Sequence, residues 1–187
     1  MKINKLPSLE YLNECFEVSS ESPTGLLWKS RPAKHFATIQ GFQTTNGTYA
    51  GKPAGCIKES NRTSPGFVVR INYRLYTVHR VVYSIFNNIE LSADLQVDHI
   101  DGVRQNNHPH NLREATQTEN LSNRGKTKAN TSGHKCVFWC KIMSAWYGKV
   151  VVNKVAYRTD YSAVIDEVVV SVQKLREKVH GKFHNHG

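Results

Sequence analysis

Four residues could do chemistry together: Asp98 and His99 side by side, Asn111 twelve positions after His99, and Asn120 nine positions further on. Hydrolysis of a phosphodiester needs a nucleophilic water, a base to deprotonate it, and positive charge on the phosphate and leaving oxygen. Asp98 and Asn120 offer hard oxygen donors, which suit Mg²⁺ or Mn²⁺ rather than Zn²⁺. Two protein oxygens leave room for water and phosphate around Mg²⁺. His99, with an ordinary pKa of about 6.5, can be neutral and accept a proton near pH 7. Singly, each residue has a plainer use. Asp98 could pair with Arg80 or cap a turn, and Asn111 could be a turn residue.

These side chains need elements to hold them. Gln96–Ile100 reads as a strand, Asp101-Gly102 opens a polar loop through Pro109, and Leu112–Ala115 reads as a second strand. Thr116-Gln117-Thr118-Glu119 matches a capping box, which starts a helix at Gln117 and puts Asn120 on its first turn. The helix is expected to fold back so that Asn120 faces Asp98 and His99.

Upstream, Leu9, Leu12 and Phe16 are spaced as on a helix, and Ser22-Pro23-Thr24-Gly25 signals a turn. Residues 31–66, rich in Gly, Thr, Ser and Pro, read as loops joining short strands. Phe67–Ile71 and Leu75–Val78 read as a hairpin, followed by a short buried helix over 79–86.

Val97-Asp98-His99-Ile100-Asp101-Gly102, Asn106-Asn107, Asn111-Leu112-Arg113, Ala115-Thr116 and Asn120 together resemble the HNH endonucleases of the phage homing type. Tyr76–Val82 and Thr24–Trp28 resemble stretches that precede the motif in that family, so the likeness spans roughly residues 10–125. It implies a ββα-metal fold, with Asp98 and Asn120 on the metal, His99 as general base, and Asn111 holding the loop and orienting His99. The last position is Asn120 rather than His, as in homing members whose ligands are Asp and Asn. Val103 stands where the family usually has Asn, a change in the loop rather than the site. His79 is expected to pack at the hairpin–helix junction; Arg80 either clamps the scissile phosphate or does not.

The chain of 187 residues carries a net charge of +10, and eight Lys and Arg with no acidic residue fall between 120 and 159. A positive field so concentrated suits a phosphate backbone. Residues 124–133 are polar and basic without apolar periodicity, as in a linker. Beyond them, runs at 136–140, 145–152 and 155–158 read as strands, with a turn at Asn153-Lys154. A helix follows, with Val164, Val168, Val172, Leu175 and Val179 on one face, Ser162 as N-cap and Gly181 at C′. Ser132-Gly133, Val137-Phe138-Trp139, Trp146–Val150 and His180–Phe183 resemble the Apetala-type (ethylene-response-factor) DNA-binding domain. That likeness implies a three-stranded sheet packed on one helix, its outer face entering the major groove. Alternation puts Val137, Trp139, Trp146, Gly148, Val150 and Val152 toward the helix, and Phe138, Cys140, Tyr147, Lys149 and Val151 outward. The several Arg of plant members are missing from that face, and Arg is prominent in base readout.

No apolar run reaches membrane length, and the N-terminus lacks the apolar stretch of a secretory signal. Four Cys without an export signal read as reduced thiols. Cys136 and Cys140 on one strand would lie about 13 Å apart, too far for one zinc with bonds of about 2.3 Å, so no structural zinc is expected.

The expectation is an α+β protein: an HNH nuclease domain at 1–125 with its ββα core near 96–124, a basic linker at 126–132, and an Apetala-type domain at 133–187. It would be a metal-dependent endonuclease on double-stranded DNA with one Mg²⁺ or Mn²⁺ per site. DNA contacts are expected from Arg80, Arg104, Arg113, Arg124, Lys126, Lys128, Lys135, Tyr147 and Lys149. A phage- or bacterium-encoded monomer or weak homodimer in the host cytoplasm, with no membrane partner, completes the expectation. A regulator that binds DNA without cutting is the rival from another class. An RNA-directed protein is a third reading, against which no clustered aromatic platform is evident in the sequence.

Overall fold

In a computed structural model, residues 4–59, 65–92, 95–123, 125–126 and 129–183 are described. Two units divide the chain, 1–114 and 115–187. The sequence expectation places the boundary after residue 125; this division assigns the Asn120 helix to the second unit.

The first unit begins with α1 (Leu9–Cys15), where Ser8 Oγ accepts the Tyr11 N–H as N-cap. Phe16, expected to close this helix, instead opens β1 (Phe16–Val18), which pairs antiparallel with β2 (Leu26–Trp28). α2 (Ile39–Tyr49) then lies in a stretch expected to be loop and short strands. Its polar, Gly-containing sequence has no buried face and little intrinsic helix preference. Local bonds support it: Thr38 Oγ1 caps Gly41 N–H at 3.0 Å, and the Asn46 amide brackets the Arg31 backbone at 3.1 and 2.9 Å.

β3 (Cys56–Lys58), β4 (Gly66–Ile71) and β5 (Arg74–Thr77) form an antiparallel sheet in that order. Asn72 and Tyr73 both take positive φ, 46° and 62°, as a two-residue hairpin turn matching the twist of its strands requires. α3 (Val78–Phe86) packs against α1, β4 and β5, with Val78, Val81 and Val82 fully buried. Burying each such side chain is worth about 1.5–3 kcal/mol, so this helix anchors the core. β6 (Gln96–His99) and β7 (Leu112–Ala115) pair beside it, with Val97 and Leu112 joining the same core.

The second unit opens with α4 (Gln117–Ser122), whose capping box forms as expected: Thr116 N donates to Glu119 Oε2 at 2.8 Å, and Glu119 N to Thr116 Oγ1 at 3.3 Å. β8 (Val137–Cys140), β9 (Ala145–Val152) and β10 (Val155–Arg158) make an antiparallel sheet with β9 in the middle. Asn153 and Lys154, both at positive φ, form the expected turn. α5 (Ile165–His180) packs on β9 and β8 through Val168 and Val172.

Three further details, in the second unit, also differ from expectation. The N-cap of α5 is Val164, while Ser162 organises the helix start from outside by accepting Val164 N–H at 3.0 Å and donating to Glu167 Oε2 at 2.6 Å. Cys136 precedes β8 at φ 65° and so does not share a strand with Cys140. Trp139 has the register of the helix-facing side but is 47% exposed, because it lies near the end of β8, edge-on to Trp146 at 5.0 Å.

Candidate active site

The loop from Ile100 to Asn111 is tied by its own polar side chains. Ile100 N donates to Asn111 O at 2.8 Å and closes the loop at its base. Asn111 Nδ2 donates to Asp101 Oδ1 at 3.0 Å and Asn106 O at 2.8 Å, while Asn111 Oδ1 accepts Asp101 N–H at 3.1 Å. Asp101 Oδ1 also takes Val103 N–H at 2.8 Å, and Asp101 Oδ2 takes Asn106 Nδ2 at 2.7 Å. Burial alone would raise the Asp101 carboxyl pKa; the bonds from Asn111, Val103 and Asn106 outweigh it and hold it below the ordinary value. Asn111 therefore holds the loop. None of its side-chain bonds goes to the His99 ring, so it does not orient His99 directly.

The ring partner is Asn107. His99 Nε2 lies 3.1 Å from Asn107 Oδ1, and Asn107 Nδ2 donates to Thr24 O at 2.8 Å. His99 and Asn107 are both buried. Burial pushes the His99 pKa below 6.5, although the Asn107 bond and the Asp101 and Asp98 charges pull it upward. The ring is thus neutral at pH 7 and able to take a proton. The His79 ring stands edge-to-face on it at 4.9 Å. Burial, then the neighbouring His99, hold His79 well below its ordinary pKa. His79 packs at the hairpin–helix junction, with the His99 ring as its neighbour.

Asp98, on β6 beside His99, pairs with Arg113 on β7: Arg113 Nε and Nη2 reach Asp98 Oδ2 at 3.2 and 3.0 Å. Its ion-pair partner is Arg113 rather than Arg80. Arg113, expected on DNA, is half-buried and engaged with this carboxylate. Arg80, also expected on DNA, is 4% exposed. Its Nη1 donates to Leu95 O and its Nη2 to Ser92 O at 3.0 Å. Helical spacing turned it inward with Val81 and Ser84, so it anchors the segment before β6 instead of clamping a phosphate.

Arg104 is exposed in the loop. Asn120 sits half-buried on α4, its backbone N–H bonded to Thr116 O at 3.0 Å. Asp98 and Asn120 thus belong to different units. Among the described residues no group of three or more His, Cys, Asp or Glu gathers as a metal site. The donor types expected here, a carboxylate and an amide oxygen, suit an ion that keeps most of its waters.

On the second unit, Lys126 is exposed and donates to Gly133 O at 3.0 Å. Lys135 is half-buried, and burial lowers its pKa to about 8, Arg176 adding to the effect. Arg124 and Lys128 lie outside the described residues. Tyr147 and Lys149 stand on the sheet face away from α5. There Phe138 contacts Tyr147 at 5.8 Å between ring centroids, Tyr147 contacts Tyr161 at 5.4 Å, and the Arg158 guanidinium lies 6.0 Å from the Tyr147 ring. This aromatic row is not visible in the sequence, because strand register brings its members together.

Asn107 is a residue of the site to which the sequence assigned no role. Its signal was only membership of an Asn-Asn pair in a polar loop.

A family model described as HNH endonuclease matches residues 76–122. Protein 3.8 of Escherichia phage T7 is 36% identical over 87 residues, which make up 46% of this chain and 71% of that protein. No solved structure matches. Among the described residues no helix is long and apolar enough to cross a membrane.

Proposed function

Since the chain belongs to the family of phage T7 protein 3.8 and carries an HNH endonuclease domain at residues 76–122, we propose that it is a homing-type endonuclease that hydrolyses phosphodiester bonds in double-stranded DNA. The observation that carries this reading is His99: a buried imidazole held by Asn107 on the same short strand as the Asp98 carboxylate. Such a ring removes a proton from water as the water attacks phosphorus.

A divalent ion, Mg²⁺ or Mn²⁺, would supply positive charge to the phosphate and the departing oxygen. Asp98 would be one ligand, steadied by Arg113. Asn120 would be the second, a role that rests on the family resemblance. Arg104, exposed beside the site, would contact DNA. The nuclease portion would extend through α4 to about residue 125. A basic segment at 126–132 would lead to an Apetala-type module at 133–187, whose outer face, with Tyr147, Lys149 and Arg158, would lie on DNA. One site per chain would cut one strand in a monomer, and a weak homodimer would cut both. The protein would act on DNA inside the host cell.

The test is incubation of the full chain with supercoiled plasmid and Mg²⁺. Nicked or linear product is expected, with cutting stopped by EDTA and by Asp98→Ala. Plasmid retarded without nicking would make the protein a DNA-binding regulator instead. Undiminished cutting in excess EDTA would rule out the one-metal reading.

A further inference from the structure

His99 has two ring nitrogens, and only the unprotonated one can act as a base. Which one that is depends on residues far away in sequence. Asn107 is 4% exposed and its amide has two partners: Nδ2 donates to Thr24 O at 2.8 Å, and Oδ1 faces His99 Nε2 at 3.1 Å. Turning the amide over would set its oxygen against the Thr24 carbonyl, two acceptors face to face in a buried place. The Thr24 carbonyl thus fixes the amide. An amide oxygen can only accept, so the hydrogen of the neutral ring belongs on Nε2 and Nδ1 carries none.

Thr24 belongs to a turn built to stay in place. Ser22 and Thr24 are buried, and their hydroxyls donate to Leu26 O at 2.7 and 3.1 Å. Gly25 N donates to Ser22 O at 3.0 Å. Gly25 has φ +83°, and a Cβ there would stand 2.9 Å from Asn107 Cβ and 3.1 Å from Asn107 O. The glycine lets the turn sit directly against Asn107. On another side of the ring, His79 makes its edge-to-face contact.

We propose that the Ser22–Gly25 turn is a positioning element for the base: through Asn107 it locks His99 in the Nε2–H tautomer and presents Nδ1 to the attacking water. The catalytic consequence rests on the nuclease reading above; the tautomer does not. Asn107 acts through His99 and touches no reacting atom, so it is a positioning residue.

The test uses the full-length protein labelled with ¹⁵N in its histidines. The spectrum should show His99 with a protonated Nε2 and a bare Nδ1. Asn107→Leu should give mixed tautomers and a kcat lower by about 100-fold, with KM and DNA affinity, measured without divalent metal, near those of the unaltered protein. Gly25→Ala should do the same with Asn107 intact, because the added methyl displaces it. Two results would overturn the proposal: a hydrogen on Nδ1 with bare Nε2 in the unaltered protein, or a folded Asn107→Leu with unchanged kcat and ring signals. The first needs no variant, so misfolding cannot leave the question open. If the unaltered protein cuts no DNA yet shows the Nε2–H ring, the nuclease reading fails and the positioning stands.

Discussion

His99 and Asp98 are adjacent on β6, yet they face different partners. Asp98 faces a cation on the paired strand, and His99 faces an amide at the end of a loop. Adjacent strand residues point to opposite sides, so one short strand can supply both an oxygen donor and a base without their competing for one partner. Replacing His99 removes the proton acceptor and leaves the Asp101–Asn111 loop network in place, since no bond of that network uses the ring. His99→Ala should therefore lower the cleavage rate by about 10²–10⁴-fold with DNA binding nearly unchanged. Parallel nicking and filter-binding assays would check this. An equal loss in both would mean that His99 is structural.

At the scale of elements, the second unit depends on close approach between β9 and α5. Gly148 has no room for a side chain: a Cβ there would meet Val172 Cγ2 at 1.9 Å and Thr159 Cγ2 at 2.9 Å. Gly148 N also donates to Thr159 Oγ1 at 2.8 Å, which ties the strand to the segment after β10. Gly148→Ala must push α5 or Thr159 outward and should cost about 1–3 kcal/mol, the usual penalty for overpacking. Val172→Ala empties the space the new methyl needs. The double variant should be more stable than the sum of the two single losses, by about 0.5–3 kcal/mol. Urea denaturation of all four proteins would measure it. Simple additivity would show that the helix does not sit on Gly148.

At the scale of the whole molecule, the positive charge falls on one part of the chain. Residues 120–159 hold eight Lys and Arg and no acid, against a total net charge of +10. In the proposed function chemistry belongs to β6 and its loop, so residence on DNA should depend on cations elsewhere. Neutralising Lys126, Lys149 and Arg158 together should weaken binding to all DNA sequences alike. The slope of log K against log salt should become shallower by about 0.9 for each phosphate that the altered protein no longer neutralises. A salt titration of the altered and unaltered proteins would detect this. An unchanged slope would move the DNA path away from the outer face of the second unit.

Local signals were enough for the capping box, the Asn153-Lys154 turn, the hairpin at Asn72-Tyr73 and the order of β6, loop, β7 and α4. Each depends on residues within a few positions of one another: a side chain reaching its own helix end, or a turn that demands positive φ. The types of side chain at Asp98 and His99 likewise suggested the chemistry proposed for them. Tertiary structure decided what meets them. Arg80 and Arg113 look alike as isolated cations, but α3 turns the first into the interior and β7 sets the second against Asp98. Asn107 looks like any loop amide until Thr24, 83 positions upstream, takes its N–H and turns its oxygen toward His99. Phe138, Tyr147 and Tyr161 are scattered in the chain, and only antiparallel register and the path beyond β10 align them. Periodicity tells which face a residue occupies. It does not tell which remote backbone folds against that face, and a buried polar group is defined by that partner.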